Sequence, residues 1–323
     1  MRAAVVQVPG ETPVVTEHPS PEAAPGRSIV RVTAAPIVPL DLLCASGTSY
    51  FGRPAVPYVP GVQGVGVVEE STTLPAGTRV WFATPAGMAP GDGSLAELCA
   101  VADDDLVPVT ADVPDAALAA LGLSAVAAWM SLTWRGGLRA GEHVLVLGAG
   151  GAVGQAAVGA AKLLGAGRVV AVARSEASRD RALAAGADEA LAPEGDVDAF
   201  AARLAEATGG RLDVVVDPVF GAAATAASRA LSPGGRLVNL GGASGDVAEF
   251  SSAVLRAKSA SVLGYTNNSL TVEQRRDALT AVAGHAATGA LAVAHERVPL
   301  AAAADAWQRQ ATGDPGVRLV LTS

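Results

Sequence analysis

Cysteine and histidine are scarce in this chain of 323 residues: two of the first and four of the second. Cys44 and Cys99 lie far apart, and neither a disulfide framework nor a cysteine-rich metal site can be built from two. The histidines at 18, 143, 285 and 295 show no ligand spacing for Zn²⁺. Aromatic residues make up 4% of the chain, which leaves the cores to be packed from alanine, valine and leucine. Charge is thin as well, and its balance of -8 offers no basic face of the kind a general nucleic-acid binder needs. No uninterrupted apolar run reaches the ~18 residues that mark a membrane span, because Gly, Asp, Arg or Ser breaks the alanine-rich segments. The opening Met1-Arg2-Ala3-Ala4-Val5-Val6 reads as a strand, followed by Pro9-Gly10, and lacks the long apolar core of a signal peptide. A reducing cytoplasm is the expected location.

Glycine is plentiful, at 37 residues, and half of the chain is hydrophobic. Length and apolar content together suit about two domains. Residues 1 to about 118 carry short strand-like runs, among them Ser28–Thr33, Gly64–Glu69, Thr78–Phe82 and Leu95–Val101. Pro-Gly turns separate them, so this part reads as an irregular, partly open β-barrel. Helical, alanine-rich sequence begins near Asp115. From Gly141 the texture changes to alternation. Strands are expected at 143–148, 168–173, 188–192, 213–217, 236–241 and 260–265, with helices near 152–164, 176–185, 197–207, 221–231 and 249–257. That order predicts a doubly wound parallel sheet. A helix at 272–288, a strand at 295–298, a helix at 301–311 and a strand at 317–322 do not extend the alternation and are expected to return to the first domain.

The most informative segment runs from His143 to Gly154. It reads as a buried strand, a turn made almost wholly of glycine, and a helix. Such a turn lets backbone approach a phosphate, and the free N–H groups and dipole of the helix favour negative charge there. A dinucleotide diphosphate is the expected ligand of Gly148, Gly150, Gly151, Ala152, Val153 and Gly154. Ala149 takes the first place of a strict G-x-G-x-x-G hexamer, while glycines recur at 148, 151 and 154. A turn that merely packs helix against sheet is the plainer alternative. At the end of the second strand, where an acidic residue would bind the ribose hydroxyls of NAD, the chain has Ala173. Arg174 and Ser175 follow at once, and Arg179 lies one helical turn later. These residues suit a 2′-phosphate and so point to NADPH, although a solvated Arg174 and Arg179, or a ribose contact from Glu176, are open alternatives.

The chain resembles the medium-chain dehydrogenase/reductase superfamily, most closely its zinc-free quinone oxidoreductase-like branch. The resemblance spans nearly the whole length. It rests on Asp41-Leu42-Leu43-Cys44-Ala45-Ser46-Gly47 with Pro57-Tyr58-Val59-Pro60-Gly61, and on Gly64-Val65-Gly66-Val67-Val68-Glu69, Gly77-Thr78-Arg79-Val80 and Gly93-Ser94-Leu95-Ala96-Glu97. Leu138-Arg139-Ala140-Gly141-Glu142, the glycine turn, Ala185-Gly186-Ala187-Asp188, Asp213-Val214-Val215-Val216-Asp217 and Leu231-Ser232-Pro233-Gly234-Gly235-Arg236 continue it. The resemblance implies an α/β protein. A GroES-like β-barrel catalytic domain is formed by residues 1–118 and 264–323, and a Rossmann NADPH-binding domain by 119–263. It also implies a cleft between the domains, a small-molecule substrate and a homodimer. Zinc members carry Gly-His-Glu where this chain has Gly61-Val62-Gln63, and an early cysteine ligand where it has Val38, so no metal is expected. The chain also departs from the quinone reductase pattern. Val38 stands for an asparagine, Leu43 for a tyrosine and Ala127 for a threonine, which makes the pocket around Val38, Leu43 and Phe51 more apolar.

Within that resemblance, Tyr50 is either a proton donor to the substrate oxygen or an aromatic wall. Phe51 reads as wall, Asp41 as a residue that orders its loop, and Cys44 as packing. Gly241 and Gly242 would let a nicotinamide approach, and Tyr265, followed by Thr266 and Asn267, would lie near it. Arg318 matches a lysine that can approach the cofactor, or is a solvated edge-strand charge. Asn239 reads as structural. Without a Lewis acid, hydride addition to a quinone or an α,β-unsaturated carbonyl is more plausible than alcohol oxidation. An enoyl-thioester or biosynthetic tailoring reductase is the alternative within the class. A binding protein for NADPH with structural or regulatory work is the alternative outside it.

Overall fold

The computed structural model describes residues 1–49, 51–313 and 317–322. Contacts divide the chain into two units, one of Met1–Gly122 with Ala294–Ser323 and one of Leu123–Val293.

The first unit is mostly β. Strand β1 (Arg2–Val5) pairs antiparallel with β2 (Val14–Glu17). The ten-residue β3 (Arg27–Pro36) is the spine of the main sheet and pairs with both β4 (Gln63–Glu70) and β6 (Leu98–Ala102). Strand β5 (Arg79–Ala83) joins β4 to β7 (Leu106–Pro108). The β3–β4 register shifts twice, and such bulges bend a sheet toward closure. Val30, Val32, Val80, Phe82, Leu95 and Leu106 fill the core. Helix α1 (Pro39–Ser46) starts with proline in its first turn, where the missing N–H costs nothing, and stops at Gly47 in the left-handed region (φ 73°).

Helix α2 (Asp115–Met130) begins where the alanine-rich sequence begins and is broken at Gly122 (φ 30°, ψ -131°). A Cβ at 122 would collide with Gln63 Oε1. With the π-helical turn that follows, this stretch of 21 residues, Asp115–Arg135, is long and apolar enough to cross a membrane by composition, although no uninterrupted apolar run marks it. Its most apolar window is 78% buried in the protein, so its hydrophobicity serves a core.

The second unit alternates strand and helix as the sequence predicts. In chain order it holds β8 (His143–Leu147), α3 (Ala152–Leu163), β9 (Arg168–Val172), α4 (Glu176–Ala184), β10 (Glu189–Leu191) and α5 (Val197–Ala207). Then come β11 (Val214–Asp217), α6 (Gly221–Ala230), β12 (Arg236–Asn239), α7 (Ser252–Lys258), β13 (Ser261–Gly264) and α8 (Val272–Ala287). The six strands are parallel in the order β10-β9-β8-β11-β12-β13. Strand order therefore reverses between β8 and β11, and at such a switch point the loops leaving the two strands part and open a crevice. Val144–Leu147 and Val214–Val216 are wholly buried, as parallel strands covered on both faces must be.

The chain leaves this unit later than the sequence reading places it, at Ala294 and not at 264. Helix α8 stays because its side chains pack there: the Trp129 and His285 rings lie 5.4 Å apart, and a Cβ on Gly159 of α3 would strike Leu291. Only β14 (His295–Pro299), α9 (Ala303–Ala311) and β15 (Arg318–Thr322) return to the first unit. There β15 lies between β14 and β3, so it is not an edge strand.

Candidate coenzyme site

The turn after β8 is shaped by what cannot be there. Gly148 has φ 62°, and a Cβ on it would come within 2.7 Å of Val219 Cγ1. On Gly150 a Cβ would overlap Ser178 of α4, and on Gly154 it would overlap the Ala149 backbone. These three glycines are required by close packing of the turn itself. Gly151 differs: its nearest neighbour would be Gly148 O at 3.6 Å, and its φ of -80° suits any residue. Glycine at 151 keeps clear a space that the protein's own atoms do not fill. That space lies at the N-cap of α3, whose first N–H groups have no carbonyl one turn earlier to bond. A bare turn facing unbonded N–H groups at a switch point fits a diphosphate.

The strand ends around this turn are held by side-chain bonds. Asp217, wholly buried at the end of β11, accepts the Val219 and Phe220 N–H groups through Oδ1 at 3.0 and 2.7 Å. Its Oδ2 has no partner among the described residues, and burial pushes the carboxyl pKa up. Phe220 sits at φ 58°, ψ -153°, a region essentially reserved for glycine, with its ring 6.0 Å from that of Phe250. Asn239 Nδ2 donates to the carbonyls of Asp217 and Gly241 at 3.2 and 2.7 Å, which is the structural role read for it. Gly241 would strike Pro218 O, and Gly242 the Asp246 carboxylate, if either bore a Cβ. Tyr265 continues β13, donates through its hydroxyl to Asn267 Oδ1 at 2.7 Å, and packs edge-on to Trp134.

At the end of β9, Ala173 is buried and three polar residues follow it. Ser175 caps α4, accepting Ser178 N–H and donating to Ser178 Oγ. Arg179 folds back, its Nη1 on the carbonyls of Ala173 and Arg174 at 3.3 and 2.8 Å. Arg174 is exposed, and its side chain has no hydrogen bond or ion pair among the described residues. A fourth residue escaped the sequence reading: Arg181 reaches Gly150 O and Ser178 Oγ.

In the first unit, α1 brings Val38 and Val62 to one buried carboxylate. Asp41 accepts Val38 N–H at 2.8 Å and Val62 N–H at 2.9 Å. Burial raises its pKa to about 6, against the pull of these bonds and of Arg318. Arg318 is itself buried, not a solvated edge charge. It donates to Ile37 O at 2.9 Å, and burial lowers its pKa to about 10, with the Asp41 charge opposing. Cys44 is pushed up to about 11, by burial first and then by Asp41, which makes it packing and not a thiolate. Burial raises the Tyr58 hydroxyl too, and Tyr58 OH has no partner among the described residues. Val38 and Ala127 of α2 are buried, whereas Leu43 is 43% exposed and Phe51 half-buried. Tyr50, the candidate proton donor, lies outside the described residues.

Known proteins resemble this chain in sequence and fold. The family model described as alcohol dehydrogenase GroES-like domain matches residues 24–111, and the one described as zinc-binding dehydrogenase matches residues 152–284. A phenolphthiocerol/phthiocerol polyketide synthase protein from Mycobacterium tuberculosis is 32% identical over 99% of this chain, which spans only 15% of that protein. An alcohol dehydrogenase from Geobacillus stearothermophilus is 31% identical over 75% of this chain and 77% of its own length. The quinone oxidoreductase of Thermus thermophilus, solved also in complex with NADPH, is 32% identical, with a TM-score of 0.80, over 100% of each chain.

The chain belongs to the medium-chain dehydrogenase/reductase superfamily, in its quinone oxidoreductase-like branch. Its family is one of oxidoreductases. Among the described residues no three His, Cys, Asp or Glu side chains are grouped to share a metal ion. Val38 and Val62, where the resemblance puts the ligands of zinc members, turn their backbone N–H groups on Asp41 instead.

Proposed function

We propose that this protein is a zinc-independent, NADPH-dependent reductase of quinones or α,β-unsaturated carbonyls. The observation that carries the reading is the pairing of an empty space at Gly151, where a diphosphate would lie, with an uncommitted Arg174 just after the buried Ala173. An aspartate at 173 would repel a 2′-phosphate; a free guanidinium binds it, worth about 1.5–3 kcal/mol. Reduced nicotinamide supplies the hydride when bound. The protein's own residues hold the coenzyme and keep the acceptor's surroundings apolar. Ala152 and Val153 offer N–H groups to the diphosphate, while Gly241, Gly242 and Tyr265 border the nicotinamide. Val38, Leu43 and Phe51 contact the acceptor, and Tyr50 donates a proton to its oxygen. Arg318 holds Asp41, and through it Val38, in place. We further propose a cytoplasmic homodimer built on β13, an edge strand whose Val262 is 37% exposed.

Titrating the purified protein with NADPH and NADH, then adding a panel of quinones and enones while following absorbance at about 340 nm, tests this. Tight NADPH binding with turnover of at least one acceptor is expected; binding without turnover of any supports a coenzyme-binding role instead. A second reading has its own support, since the mycobacterial polyketide synthase protein aligns over 99% of this chain. It makes the acceptor an enoyl thioester, and adding crotonyl and longer enoyl thioesters to the panel separates the two.

A further inference from the structure

The glycine turn is gripped from behind by two side chains. Gly150 O accepts Gln155 Nε2 of α3 at 2.9 Å and Arg181 Nε of α4 at 3.3 Å. Arg181 also donates through Nη2 to Ser178 Oγ at 2.8 Å, and Ser178 is the residue on which Gly150 is packed. The C=O and N–H of a trans peptide point in opposite directions. The Gly150–Gly151 peptide therefore sends its N–H the other way, where it donates to Gly148 O at 3.1 Å. Both ends of a single peptide are thus fixed, immediately before the first-turn N–H groups of Ala152 and Val153. Two guanidinium nitrogens of Arg181 are committed to this inward grip, whereas Arg174 is committed to nothing.

We propose that Arg181 is a positioning residue of the diphosphate cradle: by holding the Gly150 carbonyl it sets the plane of the 150–151 peptide, and so the aim of the N–H groups that follow. It acts through the turn and does not contact the 2′-phosphate. The inference rests on the nicotinamide reading, and the test separates the two. Dissociation constants for NADPH, NADH and 2′,5′-ADP are measured by fluorescence titration for the wild-type protein, R181Q, R181K, S178A and R174Q, with a thermal melt of each. R181Q should weaken NADPH and NADH alike, by about tenfold, and leave their ratio unchanged. It should spare 2′,5′-ADP, which carries the 2′-phosphate but no diphosphate. R181K should recover part of the loss and S178A should show a smaller loss of the same kind, and these two decide the matter should R181Q fail to fold. R174Q should change the ratio alone. An R181Q protein that binds both coenzymes like wild type, or that loses NADPH only, overturns the positioning role. A wild-type protein that binds neither coenzyme overturns the nicotinamide reading itself.

Discussion

The two units bury charge differently: among the described residues the second buries one carboxylate, Asp217, and the first a carboxylate and a guanidinium, Asp41 and Arg318. In the second, the glycine turn is bare backbone before the first N–H groups of α3, which have no carbonyl one turn earlier, and the buried Asp217 bonds to main chain at the end of β11. In the first, polar side chains are drawn inside, where Asp41 and Arg318 are both buried and bonded to main chain. Backbone recognition is generic, which suits a coenzyme shared by many enzymes. A buried charge serves geometry, because removing one partner strands the other.

The sharpest way to break this contrast is D41A. It leaves the buried Val38 and Val62 N–H groups without their acceptor, and at about 1–3 kcal/mol for each should cost about 2–6 kcal/mol of stability, read as a lowered Tm. D41N keeps one acceptor and should cost less. Because Asp41 titrates at about 6 when folded, above its ordinary value of 3.8, the native state holds the proton more firmly. Its contribution to stability is present below pH 4 and is lost as pH rises to about 6. The Tm gap between wild type and D41N should therefore narrow over that window; a constant gap would show that Asp41 does not titrate there.

Next in size is G150A, whose methyl group must displace Ser178. Overpacking of this kind costs about 1–3 kcal/mol, and calorimetry should also show coenzyme binding lost. R174D should weaken NADPH about 10- to 100-fold and leave NADH little changed; an unaltered preference would place the phosphate contact elsewhere. The smallest effect on the fold is expected from G151A, at less than about 1 kcal/mol, since its methyl group meets only Gly148 O, at an ordinary 3.6 Å. It should nonetheless weaken both coenzymes. Equal affinity in G151A and wild type would mean that nothing approaches that surface.

The strands and helices of the Rossmann sheet are legible in the sequence almost to the residue, because strands such as β8 and β11 are buried on both faces and read as plain apolar runs between turn signals; the unit's end at Val293 is not. Short α1 is not, since its eight residues carry no helical stripe and Asp41 stabilises it from inside. Within the site, the period of three at 148, 151 and 154 points to the wrong middle glycine for packing. Gly150 is the one that close contact demands, because α4 lies over the turn, and no spacing along the chain reveals that. For the same reason Arg181 escapes a sequence reading, and Arg318 stands in one as either a coenzyme contact or a solvated edge charge. A side chain's burial depends on which strand lies outside its own, and nothing in the sequence marks β14 as the outer neighbour of β15.

Phe220 bears on how this family member could be altered. A large ring is locked in a main-chain shape that nearly every other residue type avoids. Saturating that codon and sorting survivors for solubility should enrich glycine, the one substitute at ease there. Sorting the same library for coenzyme retention instead asks whether the benzyl group justifies its discomfort. Divergence between the two winners would mark position 220 as a place where the protein gives up ruggedness for work.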